Sequence, residues 1–294
     1  MFSNASSFGV DILAWSGSAT ESAQVDMFLG ASQFHRKYIC SDIVNGPLST
    51  CVARVKMTDA TFSDAISSCL AEEPLKGDCT TYGTVTTNYG VMSDWDVSKV
   101  TSMNNLFGSI SSSIRSAFAA DLSRWDVSSV TDMHYLFSGC TAFNADISNW
   151  NVSFVKDMSH MFQSTRLFSQ DISSWDVSKV TSMRYMFSYA SSFNRDLDAW
   201  DVSQVTDMHY MFHYADEFNG QIGSWDVSQV TDMQYMFHSA NAFNQPIGNW
   251  DVSRVRNMEY MFHGAKRFNQ PIGNWDVSEV TSFSHTFALS LIHI

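Results

Sequence analysis

The sequence predicts an α/β solenoid, a stack of 25-residue coils with short parallel strands on one face and short helices on the other. Three observations predict it. Tryptophan recurs at Trp125, Trp150, Trp175, Trp200, Trp225, Trp250 and Trp275, every 25 residues. Around each one the pattern Trp-Asp-Val-Ser-x-Val-Thr-x-Met returns, and a full copy runs from Val205 to Gln229. Within a copy, one half carries apolar residues at helical spacing and the other alternates apolar with polar. Self-similarity at such a period marks units that bury their apolar face only against the next unit.

The helical half is read from Val205 to Ala215, where Met208, Met211, Phe212 and Ala215 fall at i, i+3, i+4 and i+7. Thr206 is the expected N-cap, its hydroxyl accepting a backbone N–H, and Asp207 follows where negative charge suits the helix dipole. The strand half is read from Ile222 to Val227, too short for a helix and alternating around Trp225. Pro246 and Pro271 precede the isoleucine of their coils, where a strand tolerates a missing donor.

Along the chain, residues 1–34 read as degenerate coils, 35–94 as a cysteine-containing cap or insertion with one helix, 95–287 as the regular array and 288–294 as an incomplete terminal repeat. Met1-Phe2, Ala5, Phe8, Ile12 and Trp15 match Met236-Phe237, Ala240, Phe243, Ile247 and Trp250 position for position. The sequence therefore starts and stops inside a repeat, and a fragment or a misjudged gene boundary is expected. In the 35–94 block the helix is expected over Thr58 to Leu70, capped by Thr58 or Asp59 and ended by Pro74 and Gly77. Cys79 to Val91 reads as a turn and short strand. Near Ser109 to Ile114 a five-residue insertion reads as a bulged loop. Cys40 with Cys51 and Cys69 with Cys79 are candidate disulfides, which would imply an oxidising compartment. Cys140 stands at the alanine position of the repeat and reads as a small buried thiol.

Composition narrows the partners. With 17 Lys and Arg against 30 Asp and Glu, the net charge of −13 argues against nucleic acid and anionic membranes, which need basic patches. No apolar run approaches the length of a membrane helix, and the first residues lack the pattern of a signal peptide. No phosphate-binding loop, Ser-His-Asp arrangement or nucleophile elbow is present, so no enzyme is expected.

The repeat Val-Thr-x-Met-x-x-Met-Phe-x-x-Ala-x-x-Phe-x-x-x-Ile-x-x-Trp resembles the BspA-like leucine-rich repeat, in the subtype of mycoplasma surface lipoproteins. The resemblance covers Trp95 to Phe287 well, residues 1–34 loosely and the cysteine block scarcely. It implies a right-handed leucine-rich-repeat solenoid and a role in adhesion or binding at the cell surface, with no catalytic residues.

Four sets of residues are candidates for a site. The aspartates after tryptophan, Asp96, Asp126, Asp176, Asp201, Asp226, Asp251 and Asp276, with Asn151 in one coil, would form a column. Each is expected to cap the following turn, and calcium along Asp176, Asp201, Asp226, Asp251 and Asp276 is the alternative. Otherwise no cofactor is expected. His213, His238 and His263 form a second column, with His209 four residues before His213; the rings are expected to be solvated, as a metal site, a pH-responsive surface or neither. Tyr135, Tyr185, Tyr210, Tyr235 and Tyr260, broken by His160, form a third, placed either to meet sugars or a protein partner or to cover the methionines. Small polar groups beside the aspartates, at Ser148 and Asn149, Ser173 and Ser174, and Gly248 and Asn249, form the fourth; ice binding is the weak reading, because the more regular Ser and Thr columns, as at Ser203 and Thr206, are explained as turn and helix caps. The reading that follows is a recognition or adhesion module for a protein or glycan, with a passive scaffold and a calcium-dependent solenoid as alternatives.

Overall fold

The computed structural model describes residues 38–40, 51–53, 56–72 and 92–288, with only the backbone described for 38–40, 51–53 and Glu72. Strands β1 (Tyr38–Cys40) and β2 (Cys51–Ala53) pair antiparallel, with Cys40 opposite Cys51. The pairing proposed for those two cysteines concerns side chains outside the described atoms, and Cys79 to Val91 also lies outside the described residues. Cys69 is disulfide-bonded, to a partner that is likewise not described.

Helix α1 (Asp59–Glu72) forms as its apolar spacing requires, burying Phe62, Ala65, Ile66, Cys69 and Leu70. Phe62 meets Trp95 and Trp125 edge-on, at 6.4 and 5.3 Å between centroids. Its start differs from expectation. The Thr58 carbonyl, not its hydroxyl, receives the N–H groups of Thr61 and Phe62. The Asp59 carboxylate instead accepts from the Thr101 N–H at 2.7 Å and hydroxyl at 2.6 Å. In later coils that N–H donates to the preceding coil, so Asp59 stands in for a coil at the head of the array.

From residue 95 the chain stacks coil upon coil around one continuous core. Parallel bridges join Ser102, Asp132, Asp157, Ser182, Asp207, Asp232, Asn257 and Ser282 in that order. After the first step, which spans the insertion, each is 25 residues from the last. The insertion itself is a short helix, α2 (Ser112–Ala117), rather than a bulged loop.

The two halves of each coil are not the helix and strand expected. From Val205 to Ala215 there is no helix but a train of turns. Met208, Tyr210, Phe212 and Tyr214 send their N–H groups to the next coil, onto the carbonyls of Asp232, Gln234, Met236 and His238 at 2.8–3.1 Å. Met211, His213 and Ala215 donate three residues back within the coil, to Met208, Tyr210 and Phe212. Alternation between an inter-coil bond and a tight turn uses nearly every donor in the segment, which is the requirement a helix would otherwise have met. Thr206 does not cap: its N–H and hydroxyl both donate to the Thr181 carbonyl, at 3.0 and 3.3 Å. Nor is Ile222 to Val227 a strand. Trp225 N–H closes a turn onto the Ile222 carbonyl, and the sheet-like ladder runs through the Thr-Asp-Met side instead.

This backbone demands left-handed residues. Tyr210 (φ 60°) and Tyr214 (φ 53°) sit third in turns closed by Met208 to Met211 and Phe212 to Ala215, the position where a type II turn needs positive φ. The same holds down both columns, filled by Asn105 and by Gly139 and Gly264 in some coils and by Tyr, His or Ser in others. A non-glycine residue is disfavoured there, so the stacking of each ring on the next must hold it.

Inside, tryptophans lie over one another at 6.2–6.5 Å and 3–5° for Trp125 on Trp150, Trp200 on Trp225 and Trp225 on Trp250. Two phenylalanine columns interleave beside them, Phe212 lying 3.8 Å from Phe218 and 5.6 Å from Phe237.

Candidate functional site

The tyrosine column is the most closely stacked feature of the surface. Tyr135, His160, Tyr185, Tyr210, Tyr235, Tyr260 and His285 follow one another at 4.1, 4.5, 4.4, 4.5, 4.7 and 4.8 Å, within 20° of parallel. That is about the spacing of neighbouring strands, so both faces of each inner ring are covered by its neighbours. Each tyrosine is half-buried. Burial, with the neighbouring hydroxyls of Tyr185 and Tyr235, pushes the Tyr210 pKa up. A sugar cannot stack on the face of an inner ring; the ladder offers only edges and hydroxyls.

The histidine column lies beside it and is not solvated as expected. His213 is 9% exposed, and His238 and His263 are half-buried. Because the segment is a train of turns and not a helix, the residue after the buried Phe turns in against the previous coil. His213 Nδ1 meets Ser188 Oγ at 3.2 Å, while the buried Nδ1 atoms of His238 and His263 have no partner. His213 lies against His238 at 5.0 Å with the rings tilted by 36°, and His238 stacks on His263 at 4.8 Å and 5°. The parallel His238 and His263 rings direct their lone pairs side by side instead of converging on one ion. Burial drives the His213 pKa down to about 3, helped by His238, and lowers that of His238.

Two tyrosines not singled out by the repeat pattern complete the strip. Tyr189 and Tyr214 occupy the second left-handed column, are 42% and 37% exposed, and stack at 4.9 Å and 4°. Tyr189 stands edge-on to His213 at 5.0 Å, and Tyr214 meets His213 at 4.6 Å and His238 at 5.2 Å. The neighbouring coils carry Ser164 and Ser239 in that column, so each tyrosine has one face on which no parallel ring of the column is stacked. Small residues that admit positive φ, interrupted twice by tyrosine, were the signal in the sequence.

The aspartate column turns inward on its own loops. Asp126, Asp176, Asp201, Asp226, Asp251 and Asp276 each accept the N–H of the serine two residues on, at 3.0–3.1 Å. Asn151 does the same for Ser153 at 3.2 Å. Hydrogen bonds from Ser178 and Ser253 hold Asp176 and Asp251 below the usual carboxylate pKa. Among the described residues no three His, Cys, Asp or Glu side chains gather as metal ligands would. Asp207 forms a second such turn, accepting the His209 N–H at 3.1 Å and pairing with His209 Nδ1 at 2.5 Å. His209 is therefore tied to Asp207, not to His213.

A family model described as "Mycoplasma protein of unknown function, DUF285" matches residues 1–65, 80–200 and 188–291. No curated protein matches. A solved structure titled "Crystal structure of TLR13-ssRNA13 complex" aligns over 65% of this chain at 8% identity and a TM-score of 0.21. The chain spans 36% of the length of that protein. Among the described residues no helix is long and apolar enough to cross a membrane.

Proposed function

This chain belongs to the Mycoplasma protein family of unknown function DUF285, a membership that carries no activity, and we propose that it is a non-enzymatic repeat module for recognition or adhesion. Its partner is a protein or glycan met through the tyrosine and histidine strip. The observation that carries this reading is the exposed pair Tyr189 and Tyr214, two parallel rings standing beside a ladder of tyrosine edges. Aromatic rings with one wet side are the usual anchors of such contacts. A place at the cell surface, and a right-handed leucine-rich-repeat winding of the BspA-like kind, belong to the same proposal; the recurring Val-Thr-x-Met and Met-Phe columns support both.

A passive scaffold is the competing reading, favoured by the unbroken inter-coil ladder, which makes a stiff rod. The double variant Tyr189→Ser, Tyr214→Ser separates them, because serine already fills that column at Ser164 and Ser239 with the same backbone. In a cell-binding or glycan-array assay at pH 7.5 recognition predicts a loss of about tenfold or more. Unchanged binding leaves the scaffold. The Tyr210→Phe, Tyr235→Phe, Tyr260→Phe variant keeps the stack and reports on the hydroxyl edge alone.

A further inference from the structure

Every histidine within the described residues touches the tyrosine ladder, from His134 stacked on Tyr135 to His285 stacked on Tyr260. The imidazoles of the described residues are thus gathered in one strip of an acidic molecule. Three of them, His213, His238 and His263, form a continuous pile with no acid beside it. His213 faces Tyr189, Tyr210, Tyr214, Tyr235 and Ser188. His238 faces Tyr214, Tyr235 and Tyr260, and His263 faces Tyr260. Arg184, Asp207 and Glu259 act on the tyrosines of the ladder. The ion pairs that histidines make among the described residues are His134 with Asp157 and His209 with Asp207, neither in this pile.

A proton on His213 or His238 puts charge where water has been largely or partly removed, next to a ring that would carry the same charge. The buried end of the strip, at His213, takes up a proton readily only by opening to water. Tyr189 and Tyr214 rest edge-on against His213, so opening the pile takes their support away.

We propose that the row of contacting imidazoles of His213, His238 and His263 forms an acid-operated release for the Tyr189 and Tyr214 face. Above neutral pH the uncharged pile holds the two tyrosines in place; in mild acid the strip opens and the face loses its shape. Assigning a partner to that face rests on the recognition reading, whereas the opening itself does not. Burial supports it by holding His213 down to about 3 and lowering His238. Both rings bind protons less readily folded than unfolded, so their stabilisation is complete above about pH 6.5 and is lost as pH falls from there toward the folded value.

The test uses the whole chain, melted at pH 7.5 and 5.5 and followed by near-ultraviolet circular dichroism of the tyrosines. Carboxylates stay ionised across this window. The midpoint is expected to fall by roughly 5–10 °C for the unaltered protein. The variant His213→Ser, His238→Ser, His263→Ser, with the residue found in this column at Ser138 and Ser188, is expected to lose no more than half as much. The exposed His285→Asn control retains the full drop. An equal fall in the triple variant overturns the proposal. Should that variant not fold, proton NMR of the unaltered imidazoles decides: His213 and His238 rings that take up protons only together with loss of the tyrosine near-ultraviolet signal support the release, and rings that titrate near pH 6.5 with that signal unchanged overturn it. None of these readouts needs a ligand, so failure here is distinct from failure of the binding assay at pH 7.5.

Discussion

The indole N–H of Trp225 donates to the backbone carbonyl of Leu197, 28 residues earlier, at 2.8 Å in a buried setting. The same bond recurs from Trp150 to Leu122, Trp175 to Ile147, Trp200 to Ile172, Trp250 to Ile222 and Trp275 to Ile247, at 3.0–3.2 Å. Each tryptophan fills its own coil and ties it to the one before. Trp225→Phe removes the tie, leaves the Leu197 carbonyl buried without its donor and opens a void. The expected cost is about 2–4 kcal/mol in urea unfolding. A loss below about 1 kcal/mol would show that area alone, and not the bond, is what matters.

Asp226 and Asn151 perform one task with and without a charge, each capping its turn through Oδ1. Asp226→Asn should therefore be silent within about 0.5 kcal/mol, while Asp226→Ala costs about 1 kcal/mol. Since the carboxylates are engaged with their own turns, millimolar calcium should leave the melting temperature unmoved; a rise of several degrees would restore a metal role. The Asp171, Asp176 and Asp251 pKa values are lowered by their serines. Their stabilisation is present above about pH 4 and lost as pH falls through the folded values, below the window in which the histidines act.

Gly220 is packed where a Cβ would lie 1.9 Å from the Arg195 carbonyl oxygen of the preceding coil. The obstacle is backbone, so it cannot step aside. Gly220→Ala is expected to separate the coils there at a cost of about 2–4 kcal/mol. Chemical denaturation measures it, and a neutral result would mean the loop can slide.

Cys140 is fully buried, and burial pushes its thiol pKa up to about 12. A thiol reagent should not modify it in the native protein and should react fully once the chain is unfolded. Alanine fills its column at Ala190, Ala215, Ala240 and Ala265, so Cys140→Ala should cost less than about 1 kcal/mol.

Parts of the strip were hidden from sequence reasoning for a physical reason. Apolar residues at i, i+3, i+4 and i+7 describe a helix, yet consecutive turns closing every third residue bury the same positions, as Met208, Met211, Phe212 and Ala215 show. The period alone does not separate the two. On a helix His213 would flank the stripe and meet water; in the turn train it faces Ser188. Tyr189 and Tyr214 are not legible in the repeat because their column has no shared chemistry, only a shared left-handed backbone.

By itself the sequence determined the 25-residue period, the columns that become physical rows, and which side chains go inside: Ile222, Trp225, Val227, Met208 and Phe212 are all buried. These follow from burying an apolar face that no single coil can cover. Only the tertiary structure decided the backbone between those points. Whether a coil closes its hydrogen bonds within itself, as a helix, or alternately onto its neighbour depends on that neighbour lying one strand spacing away, and a single repeat carries no record of the distance.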